Sequence, residues 1–341
     1  MKNKVLKLVD IGKVEIFEEQ ISKLKDEEIL IKIKSTGICG SDMHYFKEGG
    51  LGSFKSKLPM YMGHEPSGIV VDKNKSKVYN NEDRVAIEPG MPNLKSFWST
   101  RGRHNLCESG SFMGANSAGA FADYVIVQDL QLSKIPNSMS FDLGALMEPL
   151  GVCLHTANLM KPFFTDTAVI LGAGSIGLCM LSILKKIGLK DVFLIDKLKY
   201  RANFAEKQGA TNAFTTNQDF VSEIKKITKG FGAQICIDTG GTYESIKSCI
   251  DLSSVGGKVG LIGIPEVDEI KYNPHQMRVK ELQLYNVRRS NQTLHDCIYH
   301  YSENSKIKDI ISHNFLLEDA QKAFELTANY EDEVIKCMIN P

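Results

Sequence analysis

The sequence predicts an α/β protein of two domains, one built on a doubly wound parallel sheet and the other mostly β. Three observations carry this reading. Residues 169–196, VILGAGSIGLCMLSILKKIGLKDVFLID, read as strand, glycine-rich turn, helix and strand, closed by an acid. From about residue 151, helical and strand patterns alternate, as a parallel sheet with crossover helices requires. Residues 4–35 instead alternate apolar and charged side chains at period two, the mark of strands with one wet face.

The glycine turn organises the second half. Val169, Ile170 and Leu171 form an apolar run of the kind a buried parallel strand needs. Gly172, Gly174 and Gly177 follow at GxGxxG spacing around Ile176. The first allows a tight turn, the second lets backbone N–H groups approach a pyrophosphate, and the third lets helix and strand pack closely. The helix then presents its positive dipole end to the phosphates. Asp196 ends the next strand about 20 residues on. A carboxylate there accepts hydrogen bonds from both ribose hydroxyls and repels a 2′-phosphate, which favours NAD over NADP. On its own, GxGxxG also fits an ordinary βαβ unit.

The 341 residues balance 41 Lys plus Arg against 41 Asp plus Glu, so there is no electrostatic footprint for nucleic acid or an anionic membrane. No segment is long and apolar enough to span a bilayer. Asp10 falls where a signal peptide would continue its apolar region. The eight cysteines lack disulfide-style spacing. A cytoplasmic protein is expected.

Three pieces of the first half carry chemistry. Residues 36–45, TGICGSDMHY, place Cys39, Ser41, Asp42 and His44 within six residues. They fit a ligand cluster, but this stretch alone favours a buried thiol followed by a polar helix start with Ser41 or Asp42 as N-cap. His64 and Glu65 sit between turn glycines ahead of the strand SGIVV. They fit an exposed turn as well as a binding pair. Glu148 lies in the apolar run ALMEPL, where an unpaired carboxylate is costly and calls for a partner or a metal. One Cys, one His and two Glu make a three-ligand zinc site with an open fourth position chemically reasonable.

The segments GICGSDMHYF (37–46), GHEPSG (63–68), DRVAIEPG (83–90), GRHNLC (102–107), GALMEPL (144–150) and VILGAGSIG (169–177) resemble the zinc-dependent medium-chain dehydrogenase/reductases, nearest the sorbitol (L-iditol) dehydrogenase-like polyol dehydrogenases. The resemblance runs nearly end to end. It implies a GroES-like, mostly β catalytic domain over 1–150, a Rossmann NAD-binding domain over 151–282, and a return to the catalytic domain over 283–341. It implies Cys39, His64 and Glu65 as ligands of a catalytic zinc, with Glu148 beside the metal, bound directly or through water. Asp42 is expected to hold the far nitrogen of His64, Ser41 to pass the alcohol proton outward, His44 to relay it onward or else to be a surface helix histidine, and Tyr45 to line the substrate pocket.

The sequence departs from the family at 91–107. Three positions where many members carry cysteines for a structural zinc are Asn93, Ser96 and Ser99, and Cys107 alone remains. One thiolate cannot close a tetrahedral site, so no structural zinc is expected. Met91, Phe97 and Trp98 are expected to pack that lobe.

After Asp196, helices are expected to about Gly209, at 219–228 and at 242–252, and strands at TNAFTT, AQICIDTGG and GKVGLIGI. Arg201 resembles the arginine beside the adenosine ribose, though a solvated helix charge fits it too. Thr239 and the run Ile262, Gly263, Ile264 end strands, where ligands of parallel sheets bind. Cys153 and His155 read as helix packing. Val287, Arg288 and Arg289 align with a segment that contacts cofactor and polyol. Arg289 replaces the usual tyrosine. Two guanidiniums could clamp a phosphate or carboxylate. Alternatively Arg288 pairs with Glu148 or another carboxylate and Arg289 faces solvent.

The expected activity is NAD-dependent oxidation of a polyol or sugar-alcohol secondary hydroxyl to a ketose or keto-polyol, with one zinc ion. The alternatives are a cyclitol, amino-alcohol or phosphorylated or acidic sugar dehydrogenase, and a non-catalytic cofactor-binding protein. GKVGLIGI reads as an exposed sheet edge, so a homo-oligomer, dimer or tetramer, is expected.

Overall fold

The computed structural model describes residues 1–265, 267–301 and 306–341. The chain forms two compact units, Met1–Gly151 with Ser290–Pro341, and Val152–Arg289.

In the first unit the period-two segments become strands. Lys2–Asp10 and Lys13–Gln20 pair antiparallel. Glu28–Gly37 is the hub of a larger sheet. It pairs antiparallel with Glu65–Asp72, with Tyr124–Gln128 and with Lys336–Asn340, the last strand of the chain. Its apolar residues Ile29, Ile31 and Ile33 bury against Val70, Val85, Ile87, Val125 and Val127. A second core gathers Leu6, Leu8, Ile38, Phe46, Met62 and Phe121 around Phe324 from the C-terminal helix Ala320–Asn329. Burying each such side chain is worth about 1.5–3 kcal/mol. Removing Phe324 would open both the Phe46 and the Phe121 ring contacts.

The second unit has a parallel sheet, in the order Asn212–Thr215, Val192–Asp196, Ala168–Leu171, Ala233–Asp238, Ser253–Leu261, Gln283–Asn286 among the described residues. Its central strands are apolar on both faces, as burial under helices on each side demands. Helices Phe220–Ile227 and Tyr243–Leu252 each begin with a side-chain cap, Asp219 on Ser222 N–H and Thr242 on Ser245 N–H.

Three expectations need correction. GKVGLIGI is not a sheet edge, because Gln283–Asn286 pairs with it in parallel. That strand was expected in the returning segment, but Leu282 and Leu284 pack on the parallel-sheet core and hold it there, and the return begins at Ser290. The N-cap of helix Gly40–Glu48 is Cys39, not Ser41 or Asp42. Asp42 is the third helical residue, and its carboxylate accepts the Cys39 N–H at 2.9 Å. The helix carrying Glu148 runs continuously over Phe141–Met160 with Pro149 inside it.

The lobe at 91–107 is not packed by its aromatics. Phe97 and Trp98 are exposed and meet edge to face, with the Arg101 guanidinium over the Phe97 ring. Hydrogen bonds hold the lobe instead. The Asn93 N–H donates to Cys107 Sγ at 3.2 Å, and the Ser96 and Ser99 hydroxyls bond each other at 2.9 Å. Burial raises the Cys107 thiol, but donors from Ser96, the Ser109 and Asn93 backbone and Ser99 outweigh it and bring it down to about 7. A lowered thiol pKa means thiolate above that pH. Alkylation of Cys107 by iodoacetamide, mapped by mass spectrometry, should therefore rise through about pH 7. The buried Cys236, pushed up to about 12, should stay unmodified in the folded protein.

Candidate metal and cofactor sites

Cys39, His64 and Glu65 converge. One ligand atom from each lies within 4.8 Å of the others, and this is the group of three metal-competent side chains found among the described residues. Sheet register brings it about. Glu65 lies opposite Gly37 across the Glu28–Gly37 and Glu65–Asp72 pair. Cys39 follows Gly37 by two residues, as the cap of the next helix. His64 precedes Glu65 at the strand start, beside Phe112, with ring centroids 5.5 Å apart.

The pocket is largely buried and crowded with acids. His64, Glu65, Asp42 and Glu148 are all buried. Burial, with the Glu65 and Asp42 carboxylates, pushes the Cys39 thiol up to about 12. Burial and then Glu65 drive the Glu148 carboxyl well above the usual range, against the pull of His64. Burial also raises Asp42, opposed by His64. Against these acids the protein itself sets one buried cation, Lys336, which pairs with Glu65. A divalent cation would add positive charge, and a thiolate, an imidazole and a carboxylate are the donor types zinc takes. The site fits the metal.

The neighbours are arranged as follows. The Ser41 Oγ lies 3.5 Å from His64 Nε2. Asp42 Oδ1 faces His64 Nδ1 at 3.8 Å, beyond hydrogen-bond length, and finds no other hydrogen-bond partner although fully buried. His44 is one helical turn from Glu48, Nδ1 to Oε1 3.5 Å. Tyr45 packs against the Leu6–Phe324 core. Glu148 lies close enough to feel Glu65, His64, Glu88 and Cys39, but outside the group of three.

In the second unit the glycine turn has the expected form. A Cβ on Gly177 would collide with the Gly172 carbonyl, so only glycine lets the helix Ser175–Ile187 start this close to its strand. A Cβ on Gly174 would meet just Arg201 Nη1, at 3.4 Å, so the turn backbone stays open to a pyrophosphate. Asp196 ends its strand. Its Oδ2 accepts the Ala173 N–H at 2.7 Å and its Oδ1 the Leu198 N–H at 2.8 Å. Each oxygen keeps a further lone pair. The Thr239 hydroxyl donates to Leu171 O at 2.9 Å and so latches the loop after Asp238 onto the turn. The Ile262 and Gly263 N–H groups donate to Asp238 O. Ile176 O accepts the Cys153 thiol at 3.4 Å. The Val287 N–H extends the ladder to Leu261 O, Arg288 is exposed, and Arg289 takes a left-handed φ of 56°.

Two residues escaped the sequence reading. Lys336 is 1% exposed, and its ammonium donates to Ile38 O at 2.8 Å and to Glu65 Oε2. Asp238, also fully buried, accepts the Gly240 and Gly241 N–H groups at about 3.1 Å and shapes the loop beyond its strand. Each is a lone charge in an apolar strand, VIKCMI and QICID, the signal that singled out Glu148.

Residues 25–137 match the alcohol dehydrogenase GroES-like domain and residues 175–303 the zinc-binding dehydrogenase domain. Sorbitol dehydrogenase 1 of Saccharomyces cerevisiae is 31% identical over 99% of this chain and 98% of its own. The D-xylulose reductase of the same yeast is 32% identical over 96% and 95%. Among solved structures, an Escherichia coli dehydrogenase of unknown specificity superposes with a TM-score of 0.93 at 30% identity, covering 100% of this chain and 99% of that one. The 2R,3R-butanediol dehydrogenase of Bacillus subtilis gives 0.89 at 26%, covering 99% of each. The chain belongs to the zinc-dependent medium-chain dehydrogenase/reductases, in their polyol dehydrogenase family.

Proposed function

We propose that the protein oxidises a secondary hydroxyl of a polyol or sugar alcohol with NAD, giving the ketone, reduced cofactor and a proton. The observation that carries this is the convergence of a half-buried Cys39 with the buried His64 and Glu65, the donor types of a zinc ion. Cys39, His64 and Glu65 would hold a single zinc, with Glu148 beside it. The bound metal would supply Lewis acidity toward the hydroxyl, and bound NAD the hydride-accepting ring.

The chain's own residues then do the following. Ser41 Oγ takes the hydroxyl proton, and His44, three residues along the same helix, passes it outward. Asp42 faces His64 Nδ1 and biases the ring tautomer electrostatically. Tyr45 borders the substrate. Gly172, Gly174, Ile176 and Gly177 cradle the pyrophosphate, and Asp196 uses its remaining lone pairs on the ribose hydroxyls. Arg201 flanks that ribose. Thr239, Ile262, Gly263, Ile264 and Val287 lie at strand ends on the nicotinamide side. A 2′-phosphate would meet the Asp196 carboxylate, which supports NAD over NADP.

Arg288 and Arg289 favour a second reading, an anionic or phosphorylated sugar alcohol. Loss of three of four expected thiols at 91–107 supports one zinc per chain. Self-association, as a dimer or tetramer, rests on the outer strand Gln283–Asn286, whose far side pairs with no other described strand. A cytoplasmic location is supported by eight free cysteines. No helix among the described residues is long and apolar enough to cross a membrane.

Protein purified without chelator should carry about one zinc per chain by elemental analysis. Cys39→Ser should lose the metal and Cys107→Ser should keep it. Near-zero metal in the wild type defeats the proposal. Asp196→Asn should raise KM for NAD about 10- to 100-fold, the loss of charge-assisted hydrogen bonds worth about 1.5–3 kcal/mol, with a smaller effect on NADP. In a panel of polyols, inositols, threonine and sugar phosphates followed by reduced-nicotinamide absorbance, neutral polyols should lead. A clear lead for a sugar phosphate selects the second reading.

A further inference from the structure

The Glu65 carboxylate has a built-in partner from the far end of the chain. Lys336 lies on the strand Lys336–Asn340, and Glu65 begins the strand Glu65–Asp72. The two strands are not neighbours. Glu28–Gly37 runs between them, pairing with both: Gly37 lies opposite Glu65 on one side and opposite Met338, two residues beyond Lys336, on the other, and the lysine side chain reaches back over it. Side chains on the outer strands of such a trio normally stay apart, because the middle residue stands between them. Here the middle residue has none. A Cβ on Gly37 would collide with Glu65 Oε2 and sit 2.7 Å from Lys336 Cε and 3.0 Å from its Nζ. Gly37 does not have a left-handed φ, so backbone freedom does not require a glycine there. The open space does.

We propose that Lys336 is a positioning residue for the metal site. It commits one carboxylate oxygen of Glu65 to its ammonium and leaves the other to the ion. The same ammonium donates to Ile38 O, the carbonyl directly before Cys39. It therefore ties together the two segments that bring Cys39 and Glu65 to the centre. The inference rests on reading Cys39, His64 and Glu65 as the zinc site. A carboxylate free to turn in a dry pocket has several orientations, and fixing one before the metal arrives removes that cost from binding. The pair also places a cation beside an otherwise acidic pocket, so the carboxylate is not a lone buried charge in the metal-free protein.

Two variants test this in different ways. Gly37→Ala keeps every charge and pushes only the flexible ends of Glu65 and Lys336 apart. Lys336→Met removes the ammonium at similar length. Zinc affinity is measured on metal-free protein by competition with a chromophoric chelator, and ligand geometry by the visible spectrum of the cobalt-substituted form. Each variant should bind zinc about 10- to 100-fold more weakly than wild type, the usual loss when a partner of a metal ligand is removed. Each should also shift the cobalt bands. In a Glu65→Gln background, adding Lys336→Met should cost nothing further, because the lysine acts through that carboxylate. This double variant leaves neither member of the Glu65–Lys336 pair as an unpaired buried charge and stays informative if Lys336→Met alone fails to fold. Wild-type affinity and spectrum in Gly37→Ala, or a full additional loss in the Glu65→Gln background, overturn the inference. Wild-type protein that binds no zinc overturns the metal reading itself.

Discussion

The register between two antiparallel strands is the constraint on which the candidate centre depends. Gly37 opposite Glu65 fixes the separation of Cys39 from the His64–Glu65 pair. Strand side chains alternate faces, so a slip of one residue would turn Glu65 away and move Pro66 into its place. The register is held from several directions. The central strand carries the isoleucines of one core, the C-terminal strand pairs along its far side, and the Thr36 hydroxyl donates to Ala120 O at 2.9 Å. The centre is therefore set by packing some distance from any ligand atom.

The cost of this arrangement is electrostatic. Cys39, Asp42, Glu65 and Glu148 cluster with one lysine, and burial is the leading cause of the raised pKa at Cys39, Asp42 and Glu148. Desolvating a charged group costs several kcal/mol, and like charges at close range add to it. A fold that keeps four acids together against this cost retains them for a cation. Asp42 makes the same point on a smaller scale. One of its oxygens caps a helix, and the other is buried with no hydrogen-bond donor, facing an imidazole slightly too far away to reach.

Much of this was legible in the chain. The glycine turn and its acid mark themselves because their residue types answer to local geometry at fixed spacing. Cys39, His64 and Glu65 could be chosen by type, but their meeting depends on strand pairing, which spacing does not encode. The parallel sheet was readable except at its rim. Gln283–Asn286 is four residues with two polar ends, too short for a pattern, and only Leu282 and Leu284 show which core it serves. At 91–107 the missing thiols were plain, yet the aromatics that seemed to replace them are exposed. Side-chain size does not reveal that a network of serines and backbone amides has taken over. Lys336 was missed although its signal, a lone cation in VIKCMI, was present. Its partner lies 271 positions away in sequence.

The two units solve opposite problems by related means. The glycine turn displays backbone N–H groups, a diffuse positive field that suits phosphates. Its loops need anchoring acceptors, and Asp196 and Asp238 provide them: Asp196 takes the Ala173 N–H, and Asp238 takes those of Gly240 and Gly241. The pocket of Cys39, His64 and Glu65 displays donors for a cation, and its anchor is a cation, Lys336. In both cases a buried charge of sign opposite to the displayed groups holds the working atoms in place, and a glycine makes room, Gly177 at the turn and Gly37 at the centre. The requirement is general. A group that must meet a ligand in a dry site cannot be held by that ligand beforehand, so the fold supplies a substitute contact on the side the ligand leaves free. By that logic the glycines and the lone buried charges belong to the sites as much as the ligand-type residues do.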